Sequence, residues 1–293
     1  MTSRRNASLF GFALALLWGL SFLSIKVSVR EVPPMTMAVA RFVVACLALP
    51  VLAWYRKESL RVAARDLPLL ALGGLTGVTL YFLGENNGVA RLTASESSVI
   101  IGTIPVLTVL TERLFLGTRL GLRTYLGAIL SCCGVALIVG RSGGAPGSLA
   151  GYLFMGLAAV AWVLYSFTIR PVAGRLGRIA ISFWQLLFGL IGAVPFALRE
   201  HALWRMPGPA SVLNILYLGV LCSAAGYWLY IMVLDVMGPG RASVFINLIP
   251  VVSVVGAFLI LGERLAANQL AGGTVAIAGV WLATSPTGAH AES

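Results

Sequence analysis

Few residues in this chain are equipped to make or break bonds. Its two histidines, His201 and His290, fall in a polar connection and in the C-terminal tail. The four cysteines, Cys46, Cys132, Cys133 and Cys222, all lie inside apolar runs, and the adjacent Cys132 and Cys133 point in different directions on a helix. They read as small polarizable filler. No His/Cys cluster has metal-ligand spacing, so no metal is expected. No histidine lies in an apolar run to activate a serine, which argues against Ser-His hydrolysis. No Gly-Lys-Ser/Thr phosphate loop is present either. The chemistry left is recognition, with no enzymatic activity and no cofactor expected.

Recognition of an organic solute calls for a mostly apolar pocket with a few placed polar groups. Trp18 and Trp162 are the leading wall candidates, because both fall in the middle of apolar runs and not at the ends, where membrane tryptophans gather. A packed core or a lipid-facing position is the alternative. Tyr165, one turn beyond Trp162, and Tyr81, Tyr227 and Trp228 are further wall candidates. Ser21, Ser166, Ser243 and Asn247 could supply polar groups to the substrate or bond helix to helix. Pro105 and Pro250 are expected to kink their helices, for packing or to open a cavity. Lys26, Arg41, Glu85 and Glu96 sit toward one end of their runs; Arg170, Gln185, Asp235 and Arg241 sit toward the other. They are either interfacial charges that snorkel or one polar gate on each face.

The elements that must position these residues are read from the charges. Charged residues make up 11 % of the 293, against roughly 25 % in a soluble domain. Ten stretches free of Asp, Glu, Lys and Arg follow one another: 6–25, 42–55, 67–84, 97–111, 124–140, 142–169, 179–198, 206–234, 242–262 and 265–291. A helix crosses a bilayer with about 20 apolar residues, and the three shorter stretches extend past a flanking charge. The sequence thus predicts an all-α membrane protein of ten transmembrane helices with short loops and no water-soluble domain. The first stretch follows Arg4 and Arg5 as a secretory leader would. It leads, however, to Lys26, Arg30 and Pro33-Pro34 with no small-residue cleavage site, so it reads as a retained helix.

A net charge of +11 would suggest nucleic acid in a soluble protein; here it is sorted by side. With the N-terminus inside, 13 Lys and Arg fall in inner segments and 6 in outer ones. Both termini are then cytoplasmic, the chain lies in the cell (inner or plasma) membrane, and no nucleic-acid partner is expected.

Comparing the chain with itself adds most. Ser98-Val-Ile-Ile-Gly-Thr-Ile-Pro-Val recurs as Ser243-Val-Phe-Ile-Asn-Leu-Ile-Pro-Val, a shift of 145 that also superposes Leu116-Gly117 on Leu261-Gly262 and Gly134-Val135 on Gly279-Val280. Upstream, a shift of 144 places Trp18 on Trp162, Ile25 on Ile169 and Lys26 on Arg170. The expected organisation is a five-helix repeat over 1–143, a second over 148–286, and a short cytoplasmic tail over 287–293. Five is odd, so the second repeat is inverted, the plan of many secondary carriers with a midplane site between halves. Small residues at Gly127, Ser131 and Gly134, and at Gly272, Ala276 and Gly279, predict close helix contact.

On these residues the chain resembles a known family. Trp18-Gly19 with Ser21, Arg41-Phe42, the matched prolines, and Leu-Gly-Glu-Arg-Leu at 261–265 are similar to the drug/metabolite transporter superfamily, EamA type. The first half departs from the pattern with Thr118 where Glu is usual. Within the superfamily the chain looks most similar to YddG-type exporters of aromatic and other amino acids. The resemblance implies a secondary exporter of amino acids working by alternating access. A drug or nucleotide-sugar carrier is the alternative within the superfamily; a membrane-embedded enzyme or a channel fits the sequence less well, since no filter loop or continuous polar stripe is present.

Overall fold

The computed structural model describes residues 4–92, 97, 100–117, 121–139, 148–261 and 267–284. Every regular element among them is helical: α1 Arg4–Ser28, α2 Pro34–Arg56, α3 Leu67–Gly74, α4 Tyr81–Val89, α5 Ile104–Leu116, α6 Leu122–Val139, α7 Leu149–Ala173, α8 Arg178–Leu198, α9 Pro209–Tyr217, α10 Gly226–Val244, α11 Leu248–Leu261 and α12 Ala267–Thr284. Among the described residues, six spans are long and apolar enough to cross a membrane: Arg5–Ile25, Pro34–Arg56, Ala64–Val89, Leu149–Ala173, Arg178–Leu198 and Pro209–Ser253. A shorter apolar helix covers Leu270–Ala283. Leu47, Val51 and Trp54 on α2 and Leu153, Val160 and Leu164 on α7 face outward. In hydrocarbon the backbone must satisfy its own hydrogen bonds, which a helix does and an irregular chain does not.

The span Pro209–Ser253 has 45 residues, about 68 Å of helix against a hydrocarbon core of about 30 Å. It is not one rod. Gly238 breaks it at φ 76°, ψ 169°, a conformation that suits a residue without Cβ, and Pro239 follows. Pro105 and Pro250 mark milder departures, where the backbone ahead of each proline stays right-handed. Pro105 is in the first turn of α5 after a turn at Thr103, and Pro250 is in the first turn of α11 after the 3₁₀ turn Phe245–Asn247. A proline donates no N–H, so each sits where the hydrogen-bond pattern tightens from one helical segment to the next.

Two rods contain a wider turn in mid-course. Leu75–Leu80 joins α3 to α4, and Leu218–Ala225 joins α9 to α10, both as π-helix. Residue 75 falls on residue 219 in the 144-residue register. Elsewhere packing is closest between α6 and α12, where a Cβ on Gly134 would lie 2.3 Å from the Ala276 nitrogen. The small-residue faces read from the sequence therefore meet.

The ends of the bundle are tied by polar groups. At one end Glu200 accepts the Met35 and Thr36 N–H groups and the Thr36 hydroxyl, capping α2. Glu31 accepts the Gly208 N–H and the Ser211 hydroxyl, capping α9. These bonds, Ser211 first, hold the exposed Glu31 carboxyl below its ordinary range. At the other end Arg175 donates to both oxygens of Asp66, at 2.7 and 3.2 Å, just ahead of α3. Residues 31 and 175 are mates in the 144-residue register, so one corner uses an anion and its mate a cation.

Candidate functional site

The buried aromatics converge on Trp162 of α7. Its ring lies 5.2 Å from Trp18 at 87°, 4.9 Å from Tyr81, 5.0 Å from Tyr230 and 5.1 Å from Tyr165. The Trp18 and Tyr230 contacts are edge-to-face, a geometry that adds about 0.5–1.5 kcal/mol each beyond area burial. Against this cluster lies a cavity of about 30 Å³, lined by Trp18, Ser21, Phe22, Arg41, Tyr81, Phe82, Glu85, Ile101, Trp162, Tyr227 and Ile249. That volume suits about one or two waters. A larger solute requires the walls to part.

The π segments hold these walls. A π turn displaces backbone carbonyls from the regular α ladder, which is why such turns recur at functional sites. The Trp18 indole donates to the Cys222 carbonyl at 2.9 Å, and the Tyr227 hydroxyl donates to the Gly77 carbonyl at 2.5 Å. Each π segment thus receives one wall aromatic. Gly77 also leaves room for Tyr165, whose ring would clash with any Cβ there. Ser223, in the second π segment, accepts from Arg41 Nε at 2.9 Å.

Five of the ten cavity candidates, Trp18, Ser21, Tyr81, Trp162 and Tyr227, line this space. Tyr165 and Ser166 stand behind the wall; Ser166 bonds the Tyr230 hydroxyl at 2.6 Å and the Trp162 carbonyl. Asn247 donates to the Ser131 hydroxyl, the helix-tying alternative, whereas Ser243 donates to the Gly240 carbonyl of its own helix. Trp228 is elsewhere. It sits over Arg56 in a depression shared with Arg178 and Asp235, at the Arg56 end of the bundle. One helical residue turns about 100°, so Tyr227 and Trp228 cannot share a wall.

The gate candidates divide in an unexpected way. Arg41 and Glu85 both line the cavity, 2 % and 5 % exposed. The Arg41 guanidinium lies 4.8 Å from the Phe82 ring centre, and Glu85 accepts from the Tyr81 hydroxyl at 2.8 Å. Gln185 is wholly buried between helices. Asp235 pairs with Arg178 at 2.9 Å. Arg170 and Arg241 border a second depression at the same end, where Arg170 lies 3.6 Å from Glu112. Glu96 and the Lys26 side chain are outside the described residues.

Sequence reasoning missed Phe22, Phe82, Tyr230, Ser223 and Glu112. Phe22 and Tyr230 stand one helical turn from Trp18 and Tyr227, a spacing that could have found them. Glu112 is 3 % exposed and accepts the Gly240 N–H at 2.8 Å, beside the Gly238 break. It had read as the charge that ends an apolar run.

Apolar helices long enough to cross a membrane thus surround a small aromatic cavity. The chain matches the EamA-like transporter family twice, over residues 5–140 and 149–285, and belongs to that family. It is a multi-pass membrane transporter and not an enzyme. A probable terminal-alkyne amino-acid exporter of Streptantibioticus cattleyicolor is 30 % identical over 268 residues, covering 90 % of this chain and 89 % of that protein. An uncharacterized transporter of Archaeoglobus fulgidus is 27 % identical, covering 90 % and 94 %. A crystal structure 23 % identical in sequence superposes with a TM-score of 0.80 over 96 % of this chain and 99 % of the other, which shows a shared fold.

Proposed function

We propose that this transporter exports amino acids, aromatic ones among them, and related small metabolites across the cytoplasmic membrane by alternating access. The observation that carries the reading is the meeting of Trp18 and Trp162, mates in the 144-residue register, at 5.2 Å beside one small cavity. The family's two successive matches support division into halves, 1–143 and 148–286. On this reading the two halves are inverted five-helix repeats, the break at Gly238 separates two of ten crossings, and both termini are cytoplasmic. The exporter of Streptantibioticus cattleyicolor supports amino acids as the class.

The test is counterflow in proteoliposomes of the purified chain against a panel of aromatic and aliphatic amino acids, with and without a pH gradient. Saturable exchange of aromatic amino acids is expected. Exchange of nucleotide sugars or cationic drugs alone would replace the reading, and unsaturable flux would indicate a channel. Cysteines placed at Arg61 and Gly174 should label only from the cytoplasm; labelling from outside would overturn the orientation.

A further inference from the structure

We propose that Arg41 and Glu85 form a clamp for the charged end of a free α-amino acid, the guanidinium taking the carboxylate and the Glu85 carboxylate taking the ammonium. The inference rests on the amino-acid reading above and specifies how that class is recognised. Two buried opposite charges in a membrane helix bundle usually pair, because each is costly alone. Here they do not. Both line one cavity, yet they form no ion pair with each other among those present.

Each charge is instead held from behind with one end left over. Arg41 is fixed by Ser223 at Nε and by the Phe42 and Phe82 rings at 5.6 and 4.8 Å; its terminal nitrogens meet no acceptor among the described residues. Those nitrogens are the fork that binds a carboxylate bidentately. Glu85 uses Oε1 for the Tyr81 hydroxyl, and Oε2 meets no donor among the described residues. A zwitterion supplies both missing partners at once and leaves the site's net charge unchanged. The Trp18–Trp162 corner of the same cavity then receives the side chain. Arg41 and Glu85 stand on α2 and α4, both in the first half, whereas the aromatic wall draws on both halves. The head group is therefore held by one half while side-chain contact bridges the two.

The experiment uses the full chain in liposomes and compares uptake of phenylalanine, phenylalaninamide, which lacks the carboxylate, and 3-phenylpropionate, which lacks the ammonium. Each lost charge-assisted contact should lower uptake at least about tenfold, so the wild-type protein favours phenylalanine over both analogues. In Arg41→Gln the preference over phenylalaninamide collapses while that over 3-phenylpropionate persists. Glu85→Gln does the reverse, and Arg41→Lys keeps a reduced carboxylate preference. Should a neutral variant fail to fold, the wild-type ratios and Arg41→Lys still decide. Wild-type uptake of phenylalanine with both ratios near one overturns the clamp and leaves the amino-acid reading standing. Strong ratios that neither variant alters overturn the assignment to these residues. Uptake of no amino acid at all overturns the function, and the clamp with it.

Discussion

Glu112 ties three elements at the Arg56 end of the bundle, and removing its charge should loosen that end selectively. From α5 it accepts the Gly240 N–H at 2.8 Å and lies 3.6 Å from Arg170 on α7. On the proposed division both partners belong to the second half and Glu112 to the first, so the contacts cross the seam that alternating access would open. Glu112→Gln keeps an acceptor for Gly240 but makes that bond neutral, roughly halving it, a loss of about 1 kcal/mol. Arg170 is 40 % exposed, so its pairing is screened and adds at most about 1 kcal/mol. Together, about 1–2 kcal/mol should shift the open-to-closed ratio roughly 5- to 30-fold toward opening at this end. The assay places a single cysteine beside Trp18 in a cysteine-free background and measures its labelling by an impermeant reagent from each side. Labelling should rise from the Arg56 side and fall from the opposite side. An equal rise from both sides would mean general loosening, and no change would show that Glu112 only caps the corner at Gly238.

Replacing Trp162 or Trp18 with Ala should weaken uptake of aromatic amino acids by about 1–3 kcal/mol, roughly 5- to 150-fold, with less effect on alanine. Equal losses for both, with reduced protein yield, would point to a folding role. Gly134→Ala should lower thermal stability by about 1–3 kcal/mol, because its Cβ meets the Ala276 backbone, whereas Gly156→Ala, which meets nothing within 4 Å, should be neutral. Equal melting temperatures for the two variants would refute the close α6–α12 contact. Glu31 has its folded pKa lowered, so its cap on α9 contributes fully above the ordinary carboxylate value of 4.5 and is lost as pH falls through the lowered one. Melting of Glu31→Gln and wild type should differ at neutral pH and converge at the acid end; a difference independent of pH would dissociate the cap from the charge.

The helices and the aromatic pair were legible because both depend on signals that run along the chain. Charge spacing marks apolar rods, and a constant shift between copies singles out Trp18 and Trp162. What runs around a helix was less legible. Arg41 and Glu85 were assigned by their distance along a rod, which placed them near an end, while their direction about the axis aims them into the cavity. Trp228 was grouped with Tyr227 by adjacency, although adjacent residues diverge. The tightened turns before Pro105 and Pro250 are set by local hydrogen bonding, which apolar runs do not mark. Glu112 was hidden for a different reason. Its chief partner is a backbone N–H set free by the turn at Gly238, and no side-chain pattern announces such a donor.

On the proposed division into two repeats, the opposed corners also bear on which halves fit one another. Residues 31 and 175 correspond, and residue 66 corresponds to 210, beside the start of α9. A dimer of two first halves on that register would set Glu31 against Asp66 at both corners, carboxylate facing carboxylate. A dimer of two second halves would set Arg175 against the start of α9, where free N–H groups already carry positive charge. Each half is thus repelled by its own copy and matched by the other. On the proposed division into two repeats the corners favour unlike halves, and separated halves expressed together should reassemble preferentially as unlike pairs.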